Sequence, residues 1–247
     1  MDAPTAVRNL LIVCALGVLS LITRAAGVWD KESPFALLGL PLISSGLACG
    51  VMAVWMICSS KFGKVREREE QLDWLEWRGD ERVLDVGCGR GLFLIGAAKR
   101  LTTGRAIGID IWQSEDLSGN QPLAPLQNAR IEGVAERVEV QTADARKLPF
   151  EDASFDVVLS SAALHNIYDA GERTTAVREI ARVLKVGGRV LIVDVRHLGQ
   201  YAQTLREAGF DGEKDAARRV QSLVSTLLRM LTLGAVQVGH VIGARAR

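Results

Sequence analysis

Val83-Leu84-Asp85-Val86-Gly87-Cys88-Gly89-Arg90-Gly91 passes from an apolar run into a glycine turn, and an apolar helical pattern begins at Leu92. A strand, a tight turn and a helix start in direct succession open a β–α unit. The glycines allow tight turns and close backbone approach of a ligand, and the free N–H groups of the helix start suit an anionic group. The spacing is Gly-x-Gly-x-Gly, which differs from the Gly-x-Gly-x-x-Gly of a dinucleotide-binding turn and disfavours a nicotinamide oxidoreductase. Working outward, the alternation continues. Residues 82–86, 105–109, 138–142, 155–160 and 189–195 read as strands, and 92–101, 123–133, 173–184 and 201–208 read as helices. Such alternation predicts an α/β fold with a mostly parallel, seven-stranded sheet and helices on both faces. Residues 219–225 and 240–246 supply its last two strands. Upstream, Leu72, Trp74, Leu75 and Trp77 form a helical apolar stripe over 64–77 that Gly79-Asp80 ends.

The chain has 247 residues, enough for one large domain plus an appendage. Lys and Arg total 30 against 29 Asp and Glu, so the net charge gives no overall reason to bind nucleic acid. The mean hydropathy of +0.15 is spread unevenly. Residues 1–60 carry six charges (Asp2, Arg8, Arg24, Asp30, Lys31 and Glu32), and the remainder carries 53. Cys14, Cys49, Cys58 and Cys88 form no CxxC pair and no metal-ligand spacing, so no metal is expected and a reducing compartment fits. Residues 35–60 hold no charge. At about 1.5 Å per residue they cover roughly 39 Å, more than the ~30 Å hydrocarbon core. Residues 9–23 are a second uncharged stretch, long enough to span if it continues to Trp29 and Arg24 snorkels. A cleaved signal peptide is the rival reading of that first stretch.

These features predict a two-helix transmembrane anchor over 1–62, with spans of about 7–28 and 35–58, and a globular domain over 63–247. Lys61, Lys64, Arg66 and Arg68 follow the second span, whereas the connector holds Asp30, Lys31 and Glu32. The positive-inside rule therefore puts the globular domain on the cytoplasmic side of a cell membrane, in a multi-pass topology. The basic run either touches anionic lipid or is an ordinary exposed helix face. Gly46 and Gly50 make a GxxxG pair that permits close helix approach, and with it a homo-oligomer.

The nonapeptide at 83–91 resembles motif I of class I S-adenosylmethionine-dependent methyltransferases. The resemblance runs from about Leu72 to Phe210. Ile107-Gly108-Ile109-Asp110 stands where the family places a ribose-gripping carboxylate, and Ala143-Asp144-Ala145 where it contacts the adenine amino group. Ser154-Phe155-Asp156-Val157-Val158 resembles the lead-in to the fourth strand, and Val183-Leu184-Lys185-Val186-Gly187-Gly188 the turn into the fifth. Val186 departs from the usual proline. The subtype is similar to small-molecule methyltransferases acting on quinone precursors. The resemblance implies a Rossmann-like fold and S-adenosyl-L-methionine as cofactor. It implies cofactor contacts from Asp85, Gly87, Gly89, Gly91, Asp110, Ile111, Asp144, Ala145 and Ser160. Asp85 alternatively orients the loop, Asp144 alternatively caps a helix, and Cys88 reads as a small residue that fits.

The sulfonium is already a good leaving group, so positioning and desolvation supply much of the acceleration. A base helps when the nucleophile carries a proton. The candidate is His165, in Ser160-Ser161-Ala162-Ala163-Leu164-His165-Asn166, after the fourth strand. Catalysis, ligand contact and a structural role all remain open for it, and Asn166, Tyr168 and His197 are weaker candidates. His240 reads as structural. Residues 112–126 form a long polar connector that is either a substrate lid or a plain surface loop. The expected partner is a small-molecule acceptor, lipid-like if the anchor serves the reaction. Residues 223–238 either meet the bilayer or acceptor, or form a buried sheet edge. A non-catalytic membrane module with the same fold is the alternative function.

Overall fold

The computed structural model describes residues 4–27, 34–58, 64–113, 120–211 and 239–246. It divides into two compact units, 1–67 and 68–247. The first contains helices α1 (Pro4–Ala25) and α2 (Pro34–Cys58). They run antiparallel. Gly17 lies against Gly46, and a Cβ on either would come within 2.7 Å of the other's Cα. Cys14 lies against Gly50, and the Ser20 hydroxyl donates to Gly39 O (3.4 Å). Both glycines of the GxxxG pair are thus taken up by packing within the chain. The faces turned away from this seam are apolar, with Ile22 and Leu47 exposed. By length and composition Val7–Ala25 qualifies as a membrane span (mean hydropathy 1.7), and the described apolar stretch of α2 is the shorter Gly39–Trp55. The helix α1 stops before residue 28, the expected end of the first span.

The second unit is a seven-stranded sheet in the order β3-β2-β1-β4-β5-β7-β6. Its strands are β1 (Arg82–Val86), β2 (Arg105–Asp110), β3 (Val138–Thr142), β4 (Phe155–Ser161), β5 (Leu184–Asp194), β6 (Phe210–Asp211) and β7 (Gly239–Arg245). The pairs β1–β2, β2–β3, β1–β4 and β4–β5 are parallel, and β7 is antiparallel to both β5 and β6. Helices α4 (Leu92–Arg100), α5 (Leu123–Ile131), α6 (Ala170–Val183) and α7 (Leu198–Glu207) connect the strands.

Period-two alternation assigns each strand residue to a layer. Val157, Leu159, Leu191 and Val193 pack in one apolar cluster with α4, while Val158, Val190 and Ile192 pack in another with α6 and α7. Burying such a side chain stabilises by about 1.5–3 kcal/mol. Chain direction and strand order place the carboxyl ends of β1, β2, β4 and β5 along one edge. Strand order reverses between β1 and β4 there, which is where open parallel sheets bind ligands.

Among the described residues a strand not expected, β6, precedes β7; the expectations for 219–225 and 223–238 lie outside the described residues. Three expectations change. Helix α3 (Lys64–Leu72) ends before Trp77, because the Trp77 indole N–H donates to Leu72 O (2.8 Å) and closes the helix end. The turn at 184–188 is a bulge inside β5, where pairing shifts between Phe155 and Val157. Arg68 is buried and donates to Leu92 O (3.2 Å), so it is not a lipid-facing charge.

Candidate active site

Gly87, Gly89 and Gly91 have φ of 73°, 51° and 87°, which L side chains rarely adopt. The Gly87 and Cys88 amides donate to Ile109 O (2.8 and 2.9 Å), so the turn wraps over the end of β2. The Gly89 amide donates to Asp110 Oδ2 (2.8 Å). The glycine bend and the second carboxylate therefore meet. Asp110 Oδ1 accepts from the Trp112 amide (2.7 Å) and from Asn120 Nδ2 (3.3 Å). A carboxylate offers about four acceptor positions, which leaves room on Oδ2.

Asp85 lies beneath the same bend. It is 1% exposed, and neither of its oxygens completes a hydrogen bond. Burial raises its pKa to about 7, the Leu94 N–H lowers it in part, and the charge of Asp110 adds to the rise. A buried carboxylate without a partner costs free energy, and a cation near the bend would offset that cost. Cys88 is buried as well, and burial pushes its thiol up. That suits a small packing residue and not a nucleophile.

At the ends of β4 and β5 the chain builds a second constellation. Ala162 has φ of 51°, a strained conformation of the kind that clusters at functional sites. His165 follows in a single 3-10 turn, Leu164–Asn166. Its Nδ1 lies 2.6 Å from Asp194 Oδ1, and its amide donates to Asp194 Oδ2 (3.1 Å). Asp194 is fully buried at the end of β5 and also accepts from the Val195 amide (2.7 Å) and the Tyr201 hydroxyl (3.4 Å). Because a carboxylate only accepts, Nδ1 carries the proton and Nε2 presents its lone pair. Burial and the adjacent Asp194 push the Tyr201 phenol up, so it stays a donor. Arg173, also buried, donates to Ile167 O (2.6 Å) and Tyr168 O (2.8 Å) and pins the segment carrying His165.

One contact joins the two constellations. A Cβ on Gly87 would lie 2.2 Å from the Cβ of Ala163, two residues before His165. Only a glycine lets the loop and the histidine segment lie together.

Other expected residues are placed differently. The Ser160 hydroxyl is buried and donates to Val86 O (3.0 Å), so it ties β4 to β1. Asp144 is held by Arg146, whose Nε donates at 3.0 Å and whose amide donates to Oδ1 at 2.9 Å. The Arg146 hydrogen bonds hold the Asp144 carboxyl below its usual range. Ile111 is 49% exposed beside Asp110, and Ala145 packs against the core. Tyr168 is almost wholly exposed, and His197 is an exposed residue at the start of α7. His240 is buried against Trp74 (ring centroids 4.3 Å apart), consistent with a structural role. Within the long connector, 114–119 lie outside the described residues and Leu123–Leu126 belong to α5. Sequence reasoning missed Asp194, Tyr201 and Arg173. An acid closing a strand, as in Ile109-Asp110, was the available signal for Val193-Asp194.

Residues 84–192 match the family model described as a methyltransferase domain. This segment is a methyltransferase domain. The chain is 34% identical over 201 residues to the chloroplastic 2-phytyl-1,4-beta-naphthoquinone methyltransferase of Arabidopsis thaliana, covering 81% of this chain and 66% of that one. It is 31% identical over 131 residues to the ubiquinone/menaquinone biosynthesis C-methyltransferase of Roseobacter denitrificans, covering 53% of this chain and 49% of that one. The YcgJ protein of Bacillus subtilis shares the fold, with a TM-score of 0.56 and 21% identity over 74% of this chain and 99% of that one. The chain spans about half the length of the curated relatives it matches.

The domain has the α/β Rossmann-like architecture of its solved neighbours, and the motif resemblance points to S-adenosyl-L-methionine as the group to test against the site. Its residues fit that cofactor. Asp110 keeps acceptor capacity for a ribose hydroxyl, the three left-handed glycines keep side chains out of the bend, and Asp85 sets an unpartnered carboxylate beneath it. Among the described residues no group of His, Cys, Asp and Glu could hold a metal ion.

Proposed function

We propose that the chain methylates a small acceptor that carries a dissociable proton and a hydrophobic portion, at the cytoplasmic face of a membrane. The observation that carries the reading is the Gly87–Ala163 contact, which sets the cofactor bend against the segment holding His165. Bound S-adenosyl-L-methionine supplies a methyl group on a positively charged sulfur. The loop and Asp110 hold the nucleoside end, and Asp85 offers negative charge to the cationic end. His165 Nε2 would accept the acceptor's proton, while the methyl–sulfur bond that breaks leaves its electron pair on the sulfur. Asp194 fixes the productive tautomer and stabilises the imidazolium that results. Methyl and proton both have a destination, and no further reactant is needed.

Hydrophobicity of the acceptor is supported by two independent features. Two relatives are named for quinone substrates, which are molecules of that character. The α1–α2 pair presents apolar side chains outward, among them Leu19, Leu40 and Val51, as a helix pair in a bilayer does. Both helices spanning, with the globular domain cytoplasmic, is the topology that the charge pattern favours. Anchoring then concentrates the domain near membrane-dissolved substrate.

The test is methyl transfer by the full chain in lipid nanodiscs, using methyl-labelled S-adenosyl-L-methionine with a membrane-lipid extract and, separately, a soluble-metabolite extract. Label entering the lipid extract is the expected result. Label entering only soluble metabolites would remove the hydrophobic acceptor, and no saturable cofactor binding would favour a non-catalytic module.

A further inference from the structure

Asn120 stands at the carboxyl edge of the sheet, across from the end of β2. Its Nδ2 donates to Asp110 Oδ1 and to Gln113 O, each at 3.3 Å. Both partners are acceptors only, so the amide has one workable orientation: NH2 toward Asp110, carbonyl oxygen away. In that orientation Asn120 Oδ1 is sealed from solvent and finds no donor among the described residues. A buried amide oxygen left without a donor costs free energy, and native structures rarely keep one without a use.

We propose that Asn120 is a second ribose-binding residue and that its Oδ1 receives one hydroxyl of the cofactor's ribose while Asp110 receives the other. This rests on the cofactor reading above. The pairing follows from donor and acceptor counts. The two ribose hydroxyls bring two O–H donors. Asp110 already accepts three hydrogen bonds, from Gly89, Trp112 and Asn120, which leaves about one acceptor position of its four. A single carboxylate so occupied is one acceptor short of a diol, and the orphaned amide oxygen beside it supplies that acceptor. Asn120 thereby reads ribose against deoxyribose, and ties the 120–122 segment to the presence of the nucleoside.

The experiment measures dissociation constants of the full chain in detergent micelles by calorimetry, for S-adenosyl-L-homocysteine and for its 2′-deoxy and 3′-deoxy analogues. Wild type is compared with Asn120→Ala, whose melting temperature reports that the fold is intact. One neutral hydrogen bond is worth about 0.5–1.5 kcal/mol, so Asn120→Ala weakens S-adenosyl-L-homocysteine about 3–10-fold. The variant also loses its discrimination against one of the two deoxy analogues, because the hydroxyl that Asn120 read no longer counts. Unchanged binding with wild-type discrimination would overturn the proposal while leaving the cofactor reading in place. A uniform loss across all three ligands would also overturn it, showing that Asn120 acts only by orienting Asp110. Failure of wild type to bind any of them would remove the cofactor reading itself, and the proposal with it.

Discussion

His165 and Asp194 are 29 positions apart, and only the parallel pairing of Ser161 with Val193 brings their strand ends together. That is why the histidine was legible in the sequence as a candidate while its role stayed open: the partner that decides its tautomer is a long-range neighbour. With three histidines in the chain, the tautomer is accessible by imidazole nitrogen NMR. His165 is expected as the Nδ1–H form with a strongly hydrogen-bonded proton, and Asp194→Asn is expected to shift the ring toward the other tautomer. An Nε2–H wild type would contradict the base assignment. Asp85 carries a pH signature. Its folded-state value of about 7 lies above the ordinary ~3.9 of an unfolded Asp. Below about 4 both states hold the proton, so the group leaves folding unopposed there. As pH rises toward 7 the unfolded chain ionises first, and stability falls until the folded carboxyl also ionises. Chemical denaturation from pH 4 to 8 should show this decline in the cofactor-free wild type and a flatter profile in Asp85→Asn. The same variant should also bind the cationic cofactor more weakly.

The β1–loop–α4 unit was readable because its signal is local: an apolar strand, glycines at fixed spacing, then a helix pattern. The last strand was read at 240–246 and is β7, whereas the two-residue β6 was not read, since it is chosen by edge pairing rather than by local periodicity. The same holds for α3, cut short by a single indole hydrogen bond. The Gly87 turn is the element on which the joint between loop and histidine segment depends. Gly87→Ala places a Cβ at a φ of 73° and into Ala163. The left-handed conformation alone costs about 1–2 kcal/mol, and the contact adds to it. The expected outcome is a lower melting temperature and at least tenfold weaker S-adenosyl-L-homocysteine binding. Gly187→Ala is the control, because Gly187 has a comparable φ of 76° with nothing within 4 Å. It should lose stability without losing affinity.

The chain comprises two units of different surface character. In the first, apolar side chains face outward around a small-residue seam. In the second, two apolar layers enclose a sheet whose carboxyl edge gathers Asp85, Asp110, His165 and Asp194. Composition made the division plain, because few charges fall before residue 60. Which polar groups serve the reaction was less plain. Ser160 and Asp144 match the family pattern in position, yet their side chains are engaged by Val86 and Arg146, partners that no motif reveals. On the proposed function, the acceptor must lose its dissociable proton to take up a methyl group. The most direct measurement is therefore initial-rate transfer of labelled methyl into the lipid extract, by wild type and by Asp194→Asn at equal cofactor saturation. General-base assistance contributes about 10²–10⁴-fold. The account predicts label in the lipid fraction from wild type and a loss approaching that size in the variant, with cofactor affinity retained. Equal rates from the two proteins would contradict it.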